Sequence, residues 1–329
     1  MNLLVTGGSG FIGSHLVEAL VGKGHSVRCL VRKTSNVDFL NEMGVELVSG
    51  DITEKESLKH CFKDVDVVYH LASIRGEKKI PREMYWNVNV TGTKNVMESA
   101  YDSGVKKFLF CSSIGVLGWI DKLPGNENFP YNPQGNYHIT KCEAEKRVSK
   151  FSYEKKFQTV VIRPVMSYGL RDLDGMLFNL TRLITDKRFL IIGNGKNYMH
   201  LVNVKNLVKG FILAMEKESA SGTYIIADKE PITVNELVTI VSETIGANVP
   251  SIHIPLNFAK IAGYIMEKTY TIIPTKSEPF ITPYKIDLMS KSRYYDITKA
   301  INELEYVPEM STPDGIVETV RWYTENGHV

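Results

Sequence analysis

The apolar run Met1-Asn2-Leu3-Leu4-Val5-Thr6 leads straight into Gly7-Gly8-Ser9-Gly10-Phe11-Ile12-Gly13, and then into Ser14-His15-Leu16-Val17-Glu18-Ala19-Leu20. The first segment has the make-up of a buried strand, and the last has the apolar spacing of a helix. Between them a glycine recurs at every third position. Glycine lets the N–H groups at the start of a helix come close to an anion that a side chain would hold away. Strand, glycine turn and helix in this order form the context in which such a cluster binds a dinucleotide pyrophosphate. The spacing is Gly-x-x-Gly-x-x-Gly rather than the commoner Gly-x-Gly-x-x-Gly. Gly7, Gly10, Phe11, Ile12 and Gly13 are the expected phosphate-facing residues.

The alternation continues downstream. Ser26–Val31 reads as a second strand and Val45–Val48 as a third, ending at Gly50-Asp51-Ile52. Asp66–Ala72 reads as a fourth and Lys107–Cys111 as a fifth, with helical patterns between them, clearest from Asn95 to Tyr101. Strands alternating with helices predict a parallel, doubly wound α/β sheet, whose ligands gather beyond the C-terminal strand ends. Gly7, Arg32, Asp51, Ala72 and Ser112 all fall there. An NAD-binding unit usually carries an acid after its second strand, to bond the ribose 2′-OH. This chain has Arg32-Lys33-Thr34-Ser35 instead. An arginine there can face a 2′-phosphate, which favours NADP(H) over NAD(H). As solvated loop charges, or stacked on adenine, Arg32 and Lys33 would express no such preference.

Tyr137-His138-Ile139-Thr140-Lys141 follows Cys111-Ser112-Ser113. A Tyr and a Lys four residues apart share one helix face. A phenol, with an ordinary pKa of about 10, is a poor base unless a nearby cation favours its phenolate. With a serine hydroxyl to hold a substrate oxygen, the set can move a proton on or off an alcohol. The spacing alone is common by chance, and the upstream glycine turn gives it weight. His70 and His200 read as structural residues making local hydrogen bonds. Arg75, Lys78 and Lys79 read as a solvated basic loop.

With these residues in place, the chain resembles the extended short-chain dehydrogenase/reductases. The matching pieces are Gly7-x-x-Gly10-x-x-Gly13, Gly50-Asp51-Ile52, His70-Leu71-Ala72, Asn89-Val90-Thr91-Gly92-Thr93, Ser112 to Gly118, Tyr137-x-x-x-Lys141 and Arg163 to Gly169. The resemblance implies a Rossmann doubly wound parallel sheet with a smaller C-terminal α/β substrate lobe. Residues 1–165 would form the nucleotide domain, with returns near 199–216 and 222–227. Residues 166–198 and 228–329 would form the lobe. It also implies that Tyr137 is the proton donor or acceptor, that Lys141 lowers its pKa and holds the nicotinamide ribose, and that Ser113 binds the substrate oxygen. Asp51 and Ile52 would flank adenine. Leu71, Ala72, Ser73, Asn89 and Ser112 would line the cofactor, and Pro164, Val165 and Met166 the nicotinamide amide. Ser73 and Arg171 would border the substrate. One departure is Leu117, where the family usually has Tyr, which alters the pocket wall.

Phe189 to Asn197, His200 to Val208, Pro283-Tyr284, Ser292 to Ala300 and Leu304 to Pro308 resemble the 3β-hydroxysteroid dehydrogenase and dihydroflavonol-reductase branch, including sterol-4α-carboxylate 3-dehydrogenase-like proteins. They also resemble bacterial hopanoid-associated sugar epimerases. The first expectation is hydride transfer at a secondary alcohol or ketone. The second is a nucleotide-sugar epimerase or dehydratase with tightly held NAD. The missing acid after Val31 speaks against an epimerase, and Ile114-Gly115, where an acidic pair would follow Ser113, speaks against a dehydratase. A binding protein on the same scaffold is disfavoured by the intact Ser–Tyr–Lys set. Relatives pair through the helices holding 82–102 and 136–155, which implies a homodimer. Tyr85, Trp86 and Met97 read as core or as that dimer face.

The 329 residues suffice for a large core and a smaller lobe. With 39 basic and 37 acidic side chains the net charge is +2, which leaves no footprint for nucleic acid. Cys29, Cys61, Cys111 and Cys142 are scattered, without the spacing of a metal site or a disulfide framework, as expected of reduced thiols in the cytoplasm. No signal peptide is recognisable before the first strand. Leu256 to Ile273 is apolar but broken by Lys260, Glu267 and Lys268. It therefore reads as a lobe helix rather than the ~20-residue apolar span an integral membrane segment needs. Asp121 to Pro133 reads as a surface loop bordering the substrate.

Overall fold

The structure is a computed structural model and describes residues 1–75, 80–272 and 283–329. Lys78, Lys79 and Ile273 lie outside the described residues. Six strands, β1 (Asn2–Thr6), β2 (Ser26–Val31), β3 (Glu46–Ser49), β4 (Val67–His70), β5 (Lys107–Cys111) and β6 (Gln158–Pro164), join a seventh, Gly222–Ile226, in one sheet. All neighbours are parallel, in the order seventh-β6-β5-β4-β1-β2-β3. The order reverses at the β1–β4 junction, so the crevice for a ligand opens where Thr6 and His70 end their strands.

β4 and β5 are buried at every residue, as expected when helices cover both faces of a parallel sheet. Alternate residues feed two cores. Leu3, Val5, Tyr69 and Leu109 pack with Leu16, Leu20 and Phe211 on one side. Leu4, Val68, Phe108 and Phe110 pack with Val96, Met97 and Val148 on the other. Tyr85 and Met97, read as core or dimer face, are buried within the chain itself. Lys107, at the start of β5, is also buried. Its ammonium donates to the carbonyls of Ala214, Met215 and Lys217 at 3.2, 2.9 and 2.7 Å, capping the helix Val204–Glu216.

A further core lies beyond β6. It gathers Tyr168, Leu177, Leu180, Leu237, Val241, Ile316 and Val320 from the helices Met176–Thr185, Val234–Thr244 and Thr312–Glu325 and their approaches. Buried Asp228, just after the seventh strand, ties this core to the sheet. It accepts hydrogen bonds from Asn203 N (2.9 Å), Asn206 Nδ2 (2.7 Å), Tyr168 Oη (3.1 Å) and Thr312 Oγ1 (3.1 Å). His200 is structural as expected: Nε2 lies 2.9 Å from the Asp228 carbonyl, and Nδ1 accepts from Tyr295 N at 3.1 Å. Leu256–Ile272 is a helix. Phe258, Ile261, Tyr264 and Ile265 are exposed along one side of it. Among the described residues no helix is long and apolar enough to cross a membrane.

Candidate active site

The glycine turn is as tight as its spacing demands. Gly7 has φ +75°, and a Cβ there would lie 2.7 Å from Ala72 N. A Cβ on Gly13 would lie 2.0 Å from the Gly7 carbonyl oxygen. The turn is closed by Gly10 N donating to Gly7 O at 3.0 Å. Gly10 caps the helix α1 (Phe11–Gly22) without a side-chain hydrogen bond, and the first turn carries no acid. The N–H groups that begin a helix have no partner inside it. Here nothing from a side chain at the cap competes for them, so the cradle fits a pyrophosphate.

Across the crevice, the segment after β4 is held in place by buried polar contacts. Ala72 N donates to Thr6 Oγ1 at 3.2 Å, and Thr6 Oγ1 lies 2.7 Å from His70 Nδ1. His70 Nε2 lies 2.9 Å from Thr93 Oγ1, which donates to Asn89 O at 2.7 Å. The chain closes if His70 is neutral with its proton on Nε2. Burial first, and then Lys141, pull its pKa down to about 3. His70 is structural, as its sequence suggested. Asn89 lies in the π-helical stretch Asn87–Gly92. Its Oδ1 accepts from Ile74 N (2.8 Å), and its Nδ2 donates to Ile74 O (3.0 Å) and Thr140 Oγ1 (3.0 Å). These bonds clamp the β4 loop to the helix bearing Tyr137.

That helix spans Gly135–Lys155. Tyr137 is half-buried. Burial pushes its phenol well above the ordinary tyrosine value and Cys111 adds to this, while Arg75 and a hydrogen bond with Ser73 pull the other way. Lys141 is 2% exposed, with its ammonium 4.3 Å from the centroid of the Phe110 ring. Burial pulls it down to about 8, against the influence of Cys111 and Glu145. Desolvation of the phenolate dominates, and the opposing groups are Arg75 and Ser73. Ser113 accepts from Gly115 N at 3.1 Å and so caps the short turn Ile114–Leu117. Its O–H proton is still able to point at a ligand. A Cβ on Gly115 would lie 2.1 Å from the His138 ring, so the Ser113 turn sits directly on the first turn of the Tyr137 helix.

Buried Ser112 donates to Glu145 Oε2 at 2.5 Å, so its hydroxyl is committed to the protein. Glu145, fully buried, also accepts from Tyr131 Oη (2.9 Å) and from Arg163 Nη2 (2.6 Å) and Nε (3.1 Å). Arg163 Nη1 reaches the Glu127 carbonyl at 3.1 Å, and the Glu127 side chain accepts from Ile225 N at 2.8 Å. This network fixes the Tyr137 helix to β5, to β6 and to the 121–133 loop. Sequence reading missed Glu145, although it continues the Tyr137–Lys141 stripe by one more step of four.

The other expected residues are distributed around the crevice. Arg32 is exposed at the end of β2, in a turn closed by Ser35. Asp51 Oδ1 accepts from Thr53 N and Oγ1 at 2.9 and 2.8 Å. Ile52 is buried against Gly92. Leu71, Ala72 and Ser73 are half-buried beside the glycine turn. Pro164 ends β6, Val165 N donates to Ile226 O at 3.2 Å, and Met166 opens the strand Met166–Tyr168. Arg171 reaches Glu18 Oε2 at 2.7 Å and stacks 4.5 Å from the Phe39 ring centroid. Arg75, read as solvated charge, pairs with buried Asp172 at 3.4 Å. Arg75 remains 45% exposed, as a solvated charge would be, but the sequence had no means of placing Asp172, 97 residues later, beside it.

The sequence profile described as NAD dependent epimerase/dehydratase family matches residues 3–227. The chain is 30% identical to a 3-beta-hydroxysteroid dehydrogenase of Mycolicibacterium neoaurum, over 98% of this chain and 91% of that protein. It is 28% identical to N-acetyl-alpha-D-glucosaminyl-diphospho-ditrans,octacis-undecaprenol 4-epimerase of Escherichia coli O157:H7, over 98% of this chain and 95% of that protein. The crystal structure of gox2253 superposes with a TM-score of 0.85 at 26% identity, over 99% of each chain. The glycine cradle and the Tyr–Lys helix thus sit on one parallel sheet in a chain matched over nearly its whole length, and this protein is an enzyme of the NAD dependent epimerase/dehydratase family, an extended short-chain dehydrogenase/reductase.

Proposed function

We propose that this enzyme transfers hydride between NADP(H) and a secondary alcohol or ketone, in the manner of the 3β-hydroxysteroid dehydrogenase and dihydroflavonol-reductase branch. The observation that carries this reading is the Tyr137 helix, with Lys141 one turn on, packed directly against the Ser113 turn. In reduction the Tyr137 phenol is the proton donor and in oxidation its phenolate is the acceptor, the direction being set by substrate and cofactor levels. In reduction Tyr137 gives its proton to the carbonyl oxygen as negative charge develops there, and the Ser113 hydroxyl donates to the same oxygen. Lys141 holds the nicotinamide ribose. Bound NADP(H) supplies the hydride. Gly7 to Gly13 would hold the pyrophosphate, Arg32 the 2′-phosphate, Asp51 and Ile52 the adenine, and Leu71, Ala72 and Pro164 to Met166 the nicotinamide side. The two relatives compared act, by their names, on a steroid and on an undecaprenol-linked sugar, which favours a substrate with a large apolar body.

The test is ketone reduction followed by NADPH consumption, with 3-ketosteroids and a farnesylated ketone as probes. Turnover by the native chain and its loss in Tyr137→Phe, with NADPH binding intact, is the expected result. A Tyr137→Phe variant as active as the native chain ends the reading. NADPH should bind more tightly than NADH in fluorescence titration, and Arg32→Ala should erase the difference; equal affinities in the native chain refute the role of Arg32. The epimerase relative supports a second reading, hydride return to the same sugar carbon. It predicts tightly bound NAD in the purified protein and epimer interconversion without net cofactor use.

We also propose a homodimer formed through the helices holding residues 82–102 and 136–155, where Met84, Tyr101, Ile139 and Tyr153 are exposed, and a cytoplasmic location consistent with four buried free cysteines. A monomeric mass by light scattering would exclude the dimer.

A further inference from the structure

Three consecutive residues of the loop after β4 are each tied to a different element. Ser73 lies beside the Tyr137 phenol. Ile74 is held at both its N–H and its carbonyl by Asn89. Arg75 Nη2 reaches Asp172 Oδ1 at 3.4 Å.

Asp172 belongs to the segment between the strand Met166–Tyr168 and the helix Met176–Thr185. Its carbonyl accepts from Tyr323 Oη at 2.9 Å, anchoring it to the final helix. Its carboxylate is buried against Gly175, the cap of the Met176–Thr185 helix, where a Cβ would lie 1.8 Å from Oδ2. Among the described residues, Oδ2 has no hydrogen-bond partner. A buried carboxylate with an unpaired oxygen is costly unless charge compensates it. The helix start and the Arg75 guanidinium supply that compensation.

We infer that Arg75 and Asp172 form a latch, pressing the Asp172 segment onto the β4 loop, which Asn89 clamps to Thr140 on the Tyr137 helix. The inference rests on the proposed acid–base role of Tyr137. Both members are positioning residues. The Arg75 side chain is 45% exposed, so the pair adds little to global stability. Its effect is local, on loop geometry and on the phenol. Cys111 from β5, Ser73 and Arg75 from the β4 loop, and His138 and Lys141 from its own helix surround Tyr137. Arg75 acts on the phenol in the direction that favours proton release.

The test uses the full chain with NADPH bound and the variants Arg75→Ala, Arg75→Lys, Asp172→Asn and the Arg75→Ala/Asp172→Asn double. Hydrogen exchange is followed in segments 71–75 and 169–175, and ketone reduction is followed by kcat and by NADPH affinity. Each alanine or asparagine variant should speed exchange in both segments by about fivefold or more, and the double variant should do no more than either single. Arg75→Ala should lower kcat by about fivefold or more with NADPH affinity unchanged, since the loop beside the phenol loosens, and Arg75→Lys should restore most of it. Exchange gains confined to one segment, or adding up in the double, overturn the latch. So does an unchanged kcat in Arg75→Ala. Exchange requires no turnover, so the latch is decided even if Tyr137→Phe remains active and the catalytic reading falls.

Discussion

Lys141 offers a sharp test because its burial opposes its charge. It is 2% exposed, and burial draws its pKa from 10.5 down to about 8. The folded protein thus prefers the neutral amine more than the unfolded chain does. Between pH 8 and about 10.5 the unfolded chain binds more protons, so native stability rises with pH across that window. Below pH 8 both states carry the proton and the full cost remains. At about 1.4 kcal/mol per pH unit, that cost is on the order of 3 kcal/mol. Lys141→Met removes the charge and keeps much of the length. We expect the cofactor-free variant to be more stable than the native chain by up to about 3 kcal/mol at pH 7. With an m-value of about 3 kcal/mol/M, this is a urea midpoint about 1 M higher. The gain should fade towards pH 10, and turnover should be lost. Urea unfolding of both proteins at pH 7 and pH 10 reads this directly. A variant no more stable at pH 7, or a gain that persists at pH 10, refutes the argument that Lys141 is held against its own solvation.

Other substitutions probe the scaffold. Glu145→Gln leaves Arg163 buried without its anion and should cost about 3–5 kcal/mol in urea unfolding, whereas Glu145→Met with Arg163→Met should recover most of it. A loss under about 1 kcal/mol in the single variant would show that the network is not what anchors the Tyr137 helix. Gly13→Ala forces a Cβ to 2.0 Å from the Gly7 oxygen. It should cost about 1–3 kcal/mol and weaken NADPH binding by about tenfold or more. Gly22→Ala, with nothing within 4 Å, is the control and should leave binding unchanged. Gly115→Ala should displace the Ser113 turn from His138 and lower the rate of ketone reduction with NADPH affinity retained; an unaltered rate would separate that turn from the chemistry.

Much of the fold was legible in local pattern. The fifth strand, Lys107–Cys111, runs as read, and the helix Thr93–Asp102 contains the predicted stretch. β4 is shorter than its apolar run, because Leu71 and Ala72 leave the strand to pack on Gly7. The glycine turn was legible because its steric demand lies within a few residues. Hydroxyl roles were harder to read. Ser112 and Ser113 are adjacent and chemically alike, yet one is committed to Glu145 and the other caps a turn at the crevice. Alternation along the strand turns neighbouring side chains to opposite faces, and only the packed helix shows which face holds the carboxylate.

What the sequence determined by itself is the set of parts whose cause is local: period-two and helical apolar spacing, a glycine turn that admits no side chain, and a Tyr and a Lys one helical turn apart. What the tertiary structure decided is every property that depends on burial and on distant partners. The phenol stands high because the fold desolvates it, and Lys141 stands low for the same reason. Glu145 meets Arg163, Asn89 grips Ile74, and Arg75 finds Asp172. Charges and amides are recognisable in a sequence, but their energies are set by the dielectric around them and by groups brought near from elsewhere in the chain, and both exist only after folding.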